Sequence, residues 1–322
     1  MNIDECNGNS IIQLPPRIRQ ASAKATTHGA VIEVYENGLA FVDQIGVVRG
    51  YLSSAGIVGL GAVVLGICLS IKMGASWSML FDFFLLFVAF LFIQIDWVGY
   101  RYEPVLFDRL SGKVHIFKSL GLPWWQWGWN LFGRPKSEVQ SFEWSSVEAE
   151  VVSFTIFTGQ IPRRECSLVL SIKNEPGGAV EIQRVGVGPT FAYGDTSGAI
   201  ERWEYIRRFM ERRGPVWTPD EHRFRDFGTG FWESVTIGQP LIGPGCGANW
   251  RKGPLVWMLG LLALIAFPIT AYAGMCRYIS YRLKRRPMWP ESVKLSVGAG
   301  PFDDATATAI HMSNEGGRRS LK

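Results

Sequence analysis

Histidine and carboxylate side chains are the groups in this chain that could carry acid–base or metal chemistry. The histidines lie far apart: none is followed by another four residues later, and no H-E-x-x-H motif occurs. The densest group of titratable residues is Pro219–Phe227 (PDEHRFRDF), and such a density of charge is typical of a solvated loop. The spacing therefore favours neither a metal centre nor an acid–base pair. The histidines are His28, His115, His222 and His311.

Glycine, serine and cysteine motifs are the other possible sources of chemistry. Gly186–Pro189 (GVGP) has a proline where a phosphate-binding loop needs a backbone donor, and Gly243–Gly247 (GPGCG) is not followed by the Lys-Ser/Thr of a nucleotide loop. No G-x-S-x-G motif occurs, and none of the five cysteines forms a C-x-x-C pair. The sequence therefore predicts no catalytic residue, no cofactor and no metal ligand.

Tryptophan is concentrated in one segment, Leu120–Phe132 (LGLPWWQWGWNLF). Tryptophan favours boundaries between apolar and wet surroundings, and with arginine it is enriched in binding hot spots. Two interpretations stay open: a loop that lies on lipid headgroups or packs onto a folded domain, or a surface that contacts a protein partner. The candidate contact residues are Trp124, Trp125, Trp127, Trp129, Arg134 and Lys136.

Two long apolar runs, Ala55–Ile71 and Met79–Trp97, determine where the protein resides. A hydrocarbon core about 30 Å thick needs about 20 apolar helical residues, so the pair predicts a transmembrane helical hairpin over 51–100. Asp82 and Asp96 lie near the ends of the second helix, where charges can reach the headgroups. Small residues spaced 4, 3 and 4 apart on the first helix are predicted to pack against the second. They are Ala55, Gly59, Ala62 and Gly66.

A third apolar run, Leu255–Met275, predicts a third membrane segment over 255–276. Basic residues near membrane ends favour the cytoplasmic side, and Lys72 is the one basic residue between the first two runs, which favours a cytoplasmic folded domain. The third run conflicts with this assignment, because more basic residues follow it than precede it. A simple third crossing would place those residues outside. The run either crosses the membrane or, broken by Pro268, returns to the same side.

The remaining sequence predicts an α+β membrane protein. β-prone runs follow Tyr100, and Ser197–Arg213 has the apolar spacing of an amphipathic helix. By analogy, antiparallel strands closed by one helix form a small split barrel of the pleckstrin-homology (PH) kind. The predicted divisions are a disordered tail at 1–30, a β-hairpin at 31–50, the membrane hairpin at 51–100, a cytoplasmic β domain at 101–215, a Gly/Pro/aromatic loop at 216–254, the third segment at 255–276, and a basic, then disordered tail at 277–322.

Composition supports a membrane location and argues against nucleic-acid binding. Apolar residues make up 47% of the 322-residue chain and charged residues only 19%, below the globular norm of about 25%. The net charge of +5 is modest, and the basic residues flank the apolar runs, which suits a membrane surface better than a nucleic-acid groove.

Three segments carry a resemblance to a known family. They are Val105–Phe117 (VLFDRLSGKVHIF), Phe142–Val151 (FEWSSVEAEV) and Glu201–Pro215 (ERWEYIRRFMERRGP). In these segments, and in the order of its elements over Ala30–Pro215, the chain resembles the bacterial DUF6708 family. The resemblance implies an inner-membrane protein with an N-terminal helical hairpin, encoded near polymorphic-toxin or type VI secretion genes. It implies no catalytic residues.

Two functions remain after these exclusions, and an enzyme is disfavoured. The first is a non-enzymatic inner-membrane binding protein whose partner is another protein, such as a secreted toxin that it neutralises. The alternative is a membrane module that senses lipid headgroups or stress through its PH-like domain. The sequence leaves the identity of the partner and the oligomeric state open.

Overall fold

The computed structural model describes residues 3–6, 9–43, 51–74, 76–127, 130–157, 162–178, 180–192, 194–213, 217–218, 221–224, 230–236, 239, 241–243, 246–247, 251 and 253–303. The strands are β1 (Ile3–Cys6), β2 (Asn9–Gln13), β3 (Val31–Val34), β4 (Gly38–Phe41), β5 (Val105–Asp108), β6 (Lys113–Gly121), β7 (Lys136–Glu143), β8 (Val147–Phe157), β9 (Pro162–Lys173), β10 (Glu181–Gly186) and β11 (Phe191–Ala192). The helices are α1 (Tyr51–Met73), α2 (Ser76–Trp97), α3 (Ser197–Met210), α4 (Phe231–Thr236), α5 (Pro254–Ile265), α6 (Phe267–Leu283) and α7 (Glu291–Val297).

The two apolar runs form the helices α1 and α2, which confirms that part of the predicted hairpin. Each is long and apolar enough to cross a membrane, at 23 and 22 residues or about 35 Å. Only a minority of each span is buried in the protein, unlike the core helix of a soluble domain. Below, the end of the hairpin near Ser53 and Asp96 is its base, and the end near Gly74 is its tip.

The hairpin is inserted between two neighbouring strands of one sheet. Strands β3 to β7 form a five-stranded antiparallel sheet in sequence order. Within it β4 pairs directly with β5, from Gly38 opposite Asp108 to Phe41 opposite Val105. The chain therefore leaves the sheet after β4, runs through the hairpin and returns as the adjacent strand. Both ends of the hairpin are consequently fixed to the same sheet.

The second antiparallel sheet has six strands and includes the N-terminal segment. Its order is β1-β2-β8-β9-β10, with β11 also paired to β9. The prediction of a disordered tail over 1–30 is therefore wrong for its described residues. Strand β2 pairs with β8 from Ser10 opposite Ser153 to Gln13 opposite Glu150, and Ile12 packs against the core. Main-chain pairing with a distant strand orders a segment that has few apolar residues of its own.

Helix α3 supplies the centre of the core formed with the strands of both sheets. Trp203, Ile206 and Phe209 are fully or almost fully buried there, as the periodicity predicted. The helix begins at Ser197, whose N–H bonds to the Asp195 carboxylate, and it ends at Met210 rather than at Arg213. Two antiparallel sheets with this helix and the apolar hairpin give an α+β architecture.

The C-terminal part also departs from the prediction, because a described portion of 277–322 is folded onto the β domain (the two sheets with α3). Trp289, Val293 and Val297, spaced four apart, are buried against Leu106 and Phe117 of the five-stranded sheet. The Phe302 N–H also bonds to the Val34 carbonyl. Burial of this apolar stripe stabilises residues that were predicted to be disordered.

Within 216–254, a short helix and a docked segment replace part of the predicted loop. The Phe224 N–H bonds to the Val31 carbonyl, and Trp217 lies in the core. The third apolar run forms two helices, α5 and α6, separated only by Ala266 just before Pro268. Proline removes a main-chain donor and clashes with the preceding turn, which accounts for the break.

Candidate membrane and partner interface

The packing face of α1 is rotated relative to the predicted stripe of small residues. Gly59 and Gly66 do face α2, near Ala89 and Asp82 respectively. Ala55 and Ala62 are exposed, so their predicted packing role is wrong. The two helices also approach closely at Gly56, where a Cβ atom would lie 2.7 Å from the Ala89 carbonyl oxygen. Glycine is therefore required there for the two backbones to approach.

The two acidic residues of α2 are buried between helices, which corrects the expectation that they reach outward to headgroups. At the base, Asp96 accepts bonds from the Ser53 N–H (2.9 Å), the Ser53 hydroxyl (2.6 Å) and the Ser280 hydroxyl (3.1 Å). Toward the tip, Asp82 accepts from the Ser70 hydroxyl at 3.2 Å. In a lipid bilayer the burial of apolar side chains does not drive helices together, and hydrogen bonds of this kind join them instead.

Helix α6 crosses the base of the hairpin. Tyr272 donates to the Ser54 carbonyl, in the first turn of α1, while Ser280 contacts Asp96 in the last turn of α2. Tyr272 and Ser280 are eight residues apart, which is about 12 Å along a helix. Both nevertheless contact the same end of the hairpin. Helix α6 therefore lies across the base rather than alongside the whole length of α1 and α2.

The segment that contains α4, α5 and α6 begins at the β domain and ends beside the residues that link α2 to β5. Before it, Phe224 bonds to Val31, and after it the Arg285 N–H bonds to the Gly99 carbonyl at 3.1 Å. At the break between α5 and α6, the Gln239 amide donates to the Ala263 carbonyl and to the Thr270 hydroxyl. The basic residues that follow α6 thus lie at the base, on the same side as the β domain.

The tryptophan loop, defined as residues 120–135, docks against the last turns of α2. The Gln94 side-chain amide donates to the main-chain carbonyls of Gln126 (2.6 Å) and Asn130 (2.8 Å). Trp125 and Trp127 are 58% and 53% exposed, although the Trp127 indole N–H bonds to the Leu122 carbonyl. Trp124 begins a short 3₁₀ turn. Trp129 lies outside the described residues.

Exposed aromatic and basic side chains surround the base of the hairpin. Phe132 within the tryptophan loop is 77% exposed, and Trp232 on α4 is 73% exposed. Arg134 near the end of the tryptophan loop and Lys136 just after it are exposed as well. An apolar patch rimmed by cations is typical of a surface that contacts a membrane or a partner. Trp125, Trp127, Arg134 and Lys136 are therefore all exposed, in or next to the loop that docks on α2.

We expect Gln94→Leu to release the tryptophan loop. Loss of two main-chain bonds costs about 1–2 kcal/mol, so chymotrypsin should cleave within 120–132 roughly tenfold faster in the detergent-solubilised protein. Gln140→Leu is the matched control, because the Gln140 amide bonds to Glu138 on its own strand. Equal cleavage of the two variants would show that Gln94 does not hold the loop.

Asp108 and His115 of the β domain make contacts that support its strands and turns. The buried Asp108 carboxylate accepts the N–H groups of Leu110 and Ser111 and so closes the β5–β6 turn. Burial acts to raise the pKa of Asp108, but hydrogen bonds from the His115 imidazole, from Ser111 and from Ser296 lower it to about 2. His115 Nδ1 bonds to the Ser141 hydroxyl. In the described part of the chain no group of three or more His, Cys, Asp or Glu residues could hold a metal ion.

Glu204 of α3 is the centre of a buried ionic cluster that sequence inspection missed. Its carboxylate accepts bonds from Arg207 (2.8 and 3.0 Å), from Arg208 (2.7 Å) and from the Ala21 N–H (2.9 Å). The Glu204 side chain is fully buried. The E-x-x-R-R spacing shows that the pairs can form on one helix, but nothing local reveals Ala21 as the fourth donor.

Comparison with known proteins identifies a family. The family model described as "Family of unknown function (DUF6708)" matches residues 82–301. The match begins within α2 and extends past α7, well beyond the Ala30–Pro215 range that carried the resemblance. No curated protein matches the chain, and no solved structure does. Because the family model covers more than half of its 322 residues, the chain belongs to the DUF6708 family.

Proposed function

We propose that the chain is a non-enzymatic, membrane-anchored binding protein. The observation that carries the proposal is the insertion of the apolar hairpin between the paired strands β4 and β5. A domain on a single flexible linker samples many orientations. Two chain connections instead hold this β domain in one orientation above the bilayer. Helix α6 adds a third link, because it bonds to the hairpin through Tyr272 and Ser280 and is followed by the stripe that packs on the five-stranded sheet. Such an anchor suits a module that presents a fixed binding surface.

We place the hairpin in a bacterial inner membrane, with the β domain in the cytoplasm. Arg101, Arg285 and Arg286 follow the membrane helices at the base, whereas Lys72 is at the tip. Basic residues near membrane ends are retained on the cytoplasmic side. The α5–α6 segment is proposed to be re-entrant, because α5 has 12 residues, about 18 Å, which is shorter than the hydrocarbon core.

Cysteine labelling of intact cells tests this topology. In a background with the native cysteines replaced by serine, Lys72→Cys should react with a membrane-impermeant maleimide added outside. Arg286→Cys and Ser137→Cys should react only after the inner membrane is permeabilised, because all three positions are exposed but lie at opposite ends of the hairpin. External labelling of Arg286→Cys would reverse the proposed orientation or make the third segment a full crossing.

The proposed partner is a protein, namely a secreted toxin of the type VI kind that this chain neutralises as an immunity protein. Such a role needs a complementary surface and no chemistry. The exposed Trp125 and Trp127, flanked by Arg134 and Lys136, have the composition of a binding hot spot. The gene neighbourhood implied by the family resemblance supports a toxin as the partner.

One observation favours the alternative, a module that reads lipid headgroups through a PH-like domain. The Gln94 bonds keep the tryptophan loop level with the last turns of α2, where an interfacial aromatic belt would lie. In this alternative Trp125 and Trp127 insert among headgroups and have no protein partner.

A pull-down from native membranes separates the two functions. The double variant Trp125→Ala/Trp127→Ala should still insert but lose its protein partner, whereas Trp232→Ala, another exposed tryptophan at the base, should retain it. In cells, the wild type should protect against the toxin encoded beside it, and the double variant should not. Unchanged partner capture by the double variant, with weaker flotation on liposomes, would support the lipid-reading alternative instead.

A further inference from the structure

Two grooves lie side by side where α2 ends and the chain turns into the β domain. The first, of about 260 Å³, runs between α2 and the tryptophan loop. The second, of about 230 Å³, lies between Trp97, Phe132 and Arg285. Val98, Gly99 and Pro135 line both grooves, so the two share a wall. Apolar side chains line most of the first groove: Leu91, Ile95, Val98, Leu120, Leu122 and Trp127.

The apolar lining of the first groove suits a hydrocarbon chain. Ile95 and Leu120 are both about half exposed at its edge, which is costly in water but not beside lipid. Its principal polar side chain, Gln94, already donates to two main-chain carbonyls. A polar ligand would therefore find few free donors, whereas an acyl chain would remove apolar surface from water.

The second groove ends at Arg285, whose main chain is held by two hydrogen bonds. The Arg285 N–H bonds to the Gly99 carbonyl, and the Arg101 N–H bonds to the Arg285 carbonyl at 2.8 Å. The Arg285 side chain is exposed, and no carboxylate of the described residues forms an ion pair with it. A guanidinium presents its donors in a planar fork that matches the oxygens of a phosphate group.

We propose that the two grooves together bind one anionic phospholipid, with an acyl chain in the apolar groove and its phosphate at Arg285. The site shares Trp127 with the surface proposed for the protein partner, whereas Trp125, Arg134 and Lys136 line neither groove. The proposed lipid site rests on insertion of the hairpin in a membrane, which supplies such a lipid. A bound lipid would fill the space between α2 and the tryptophan loop and fix the loop in its docked position.

The test uses the full chain, purified in detergent, stripped of lipid and examined by native mass spectrometry. One phosphatidylglycerol per chain should be retained in preference to phosphatidylcholine, and inorganic phosphate should not displace it. Arg285→Gln should weaken phosphatidylglycerol binding roughly fivefold, the effect of one cation near a lipid surface. Arg286→Gln removes a neighbouring exposed charge that lies outside both grooves, and it should leave binding unchanged.

Leu120→Glu, which puts a carboxylate in the acyl groove, should abolish retention of both lipids, and Leu120→Gln serves if that variant fails to fold. Equal retention of the two lipids by the wild type, or equal loss in Arg285→Gln and Arg286→Gln, would overturn the proposal. Carbonate extraction of the same membranes reports insertion separately. A chain that inserts without preferring phosphatidylglycerol therefore refutes the lipid site and leaves the anchored binding function intact.

Discussion

Replacing Glu204 with glutamine should lower the free energy of unfolding by about 3 kcal/mol, the usual cost of removing one partner from a buried ion pair. The change leaves Arg207, itself almost fully buried, without its carboxylate and weakens the bond to the Ala21 N–H. For a domain of this size the melting temperature should fall by roughly 6–12 °C. Intrinsic fluorescence during heating of the detergent-solubilised chain measures the change.

Glu201→Gln provides the matched control on the same helix. Glu201 pairs with His28 at 3.0 Å, but both side chains are partly exposed, so the loss should be below about 1 kcal/mol. If the two variants melt at the same temperature, the buried cluster does not stabilise the fold. The N-terminal segment should also become sensitive to protease in Glu204→Gln, because Arg207 and Arg208 bond to its carbonyls at Arg17 and Ser22.

The same cluster predicts a pH dependence with a definite sign. Burial acts to raise the pKa of Glu204, but the bonds from Arg207, Ala21 and Arg208 outweigh it and lower the pKa to about 2. A carboxyl with a depressed pKa in the folded state stabilises the protein above its unfolded pKa, and this contribution falls as the pH drops toward the folded pKa. The stability difference between wild type and Glu204→Gln should therefore shrink by more than half between neutral pH and about pH 3.

The hairpin was predictable from the sequence because its signal is local. Apolar runs of sufficient length at Ala55–Ile71 and Met79–Trp97 predicted α1 and α2 to within a few residues. The packing face was predicted less well, since small residues at Ala55 and Ala62 satisfy the same spacing rule as Gly59. The buried face instead follows Gly56, Val63 and Ser70, seven residues apart. Sequence spacing shows that a small-residue face exists, but the position of the partner helix decides which face packs.

The long-range contacts were not predictable in this way. Strand β2 has only two apolar residues and is ordered through pairing with β8, about 140 residues away along the chain. The position of Asp96 near the end of α2 predicts a charge that can reach the headgroups, and nothing in the local sequence indicates its contact with Ser280, 184 residues later. Trp289, Val293 and Val297 have helical spacing. The Gly- and Ser-containing composition around them nevertheless favoured the prediction of a disordered tail. Composition averages over residues, whereas one buried stripe is enough to fix a short helix.

Replacing Asp96 with alanine should loosen the base of the hairpin and expose Cys276. Asp96 holds Ser53 of α1 and Ser280 of α6 at once, and each interhelical bond of this kind contributes about 0.6–1.7 kcal/mol. Cys276 is a free cysteine that is almost fully buried beside these residues. With Cys6, Cys68 and Cys246 changed to serine, maleimide should modify Cys276 roughly 10- to 100-fold faster in Asp96→Ala than in the wild type.

Two further variants test whether loss of the Asp96 hydrogen bonds causes the faster labelling of Cys276. Ser280→Ala removes the contact to α6 without altering charge, so its labelling rate should fall between those of the wild type and Asp96→Ala. Asp82→Ala removes a comparable buried carboxylate near the tip, far from Cys276, and should leave the rate unchanged. Equal acceleration in Asp82→Ala and Asp96→Ala would mean that general weakening of the hairpin exposes the thiol. Acceleration in Asp96→Ala and Ser280→Ala alone would locate the coupling between the membrane anchor and the β domain at the hairpin base, because α6 leads directly into the Arg285 contact with Gly99.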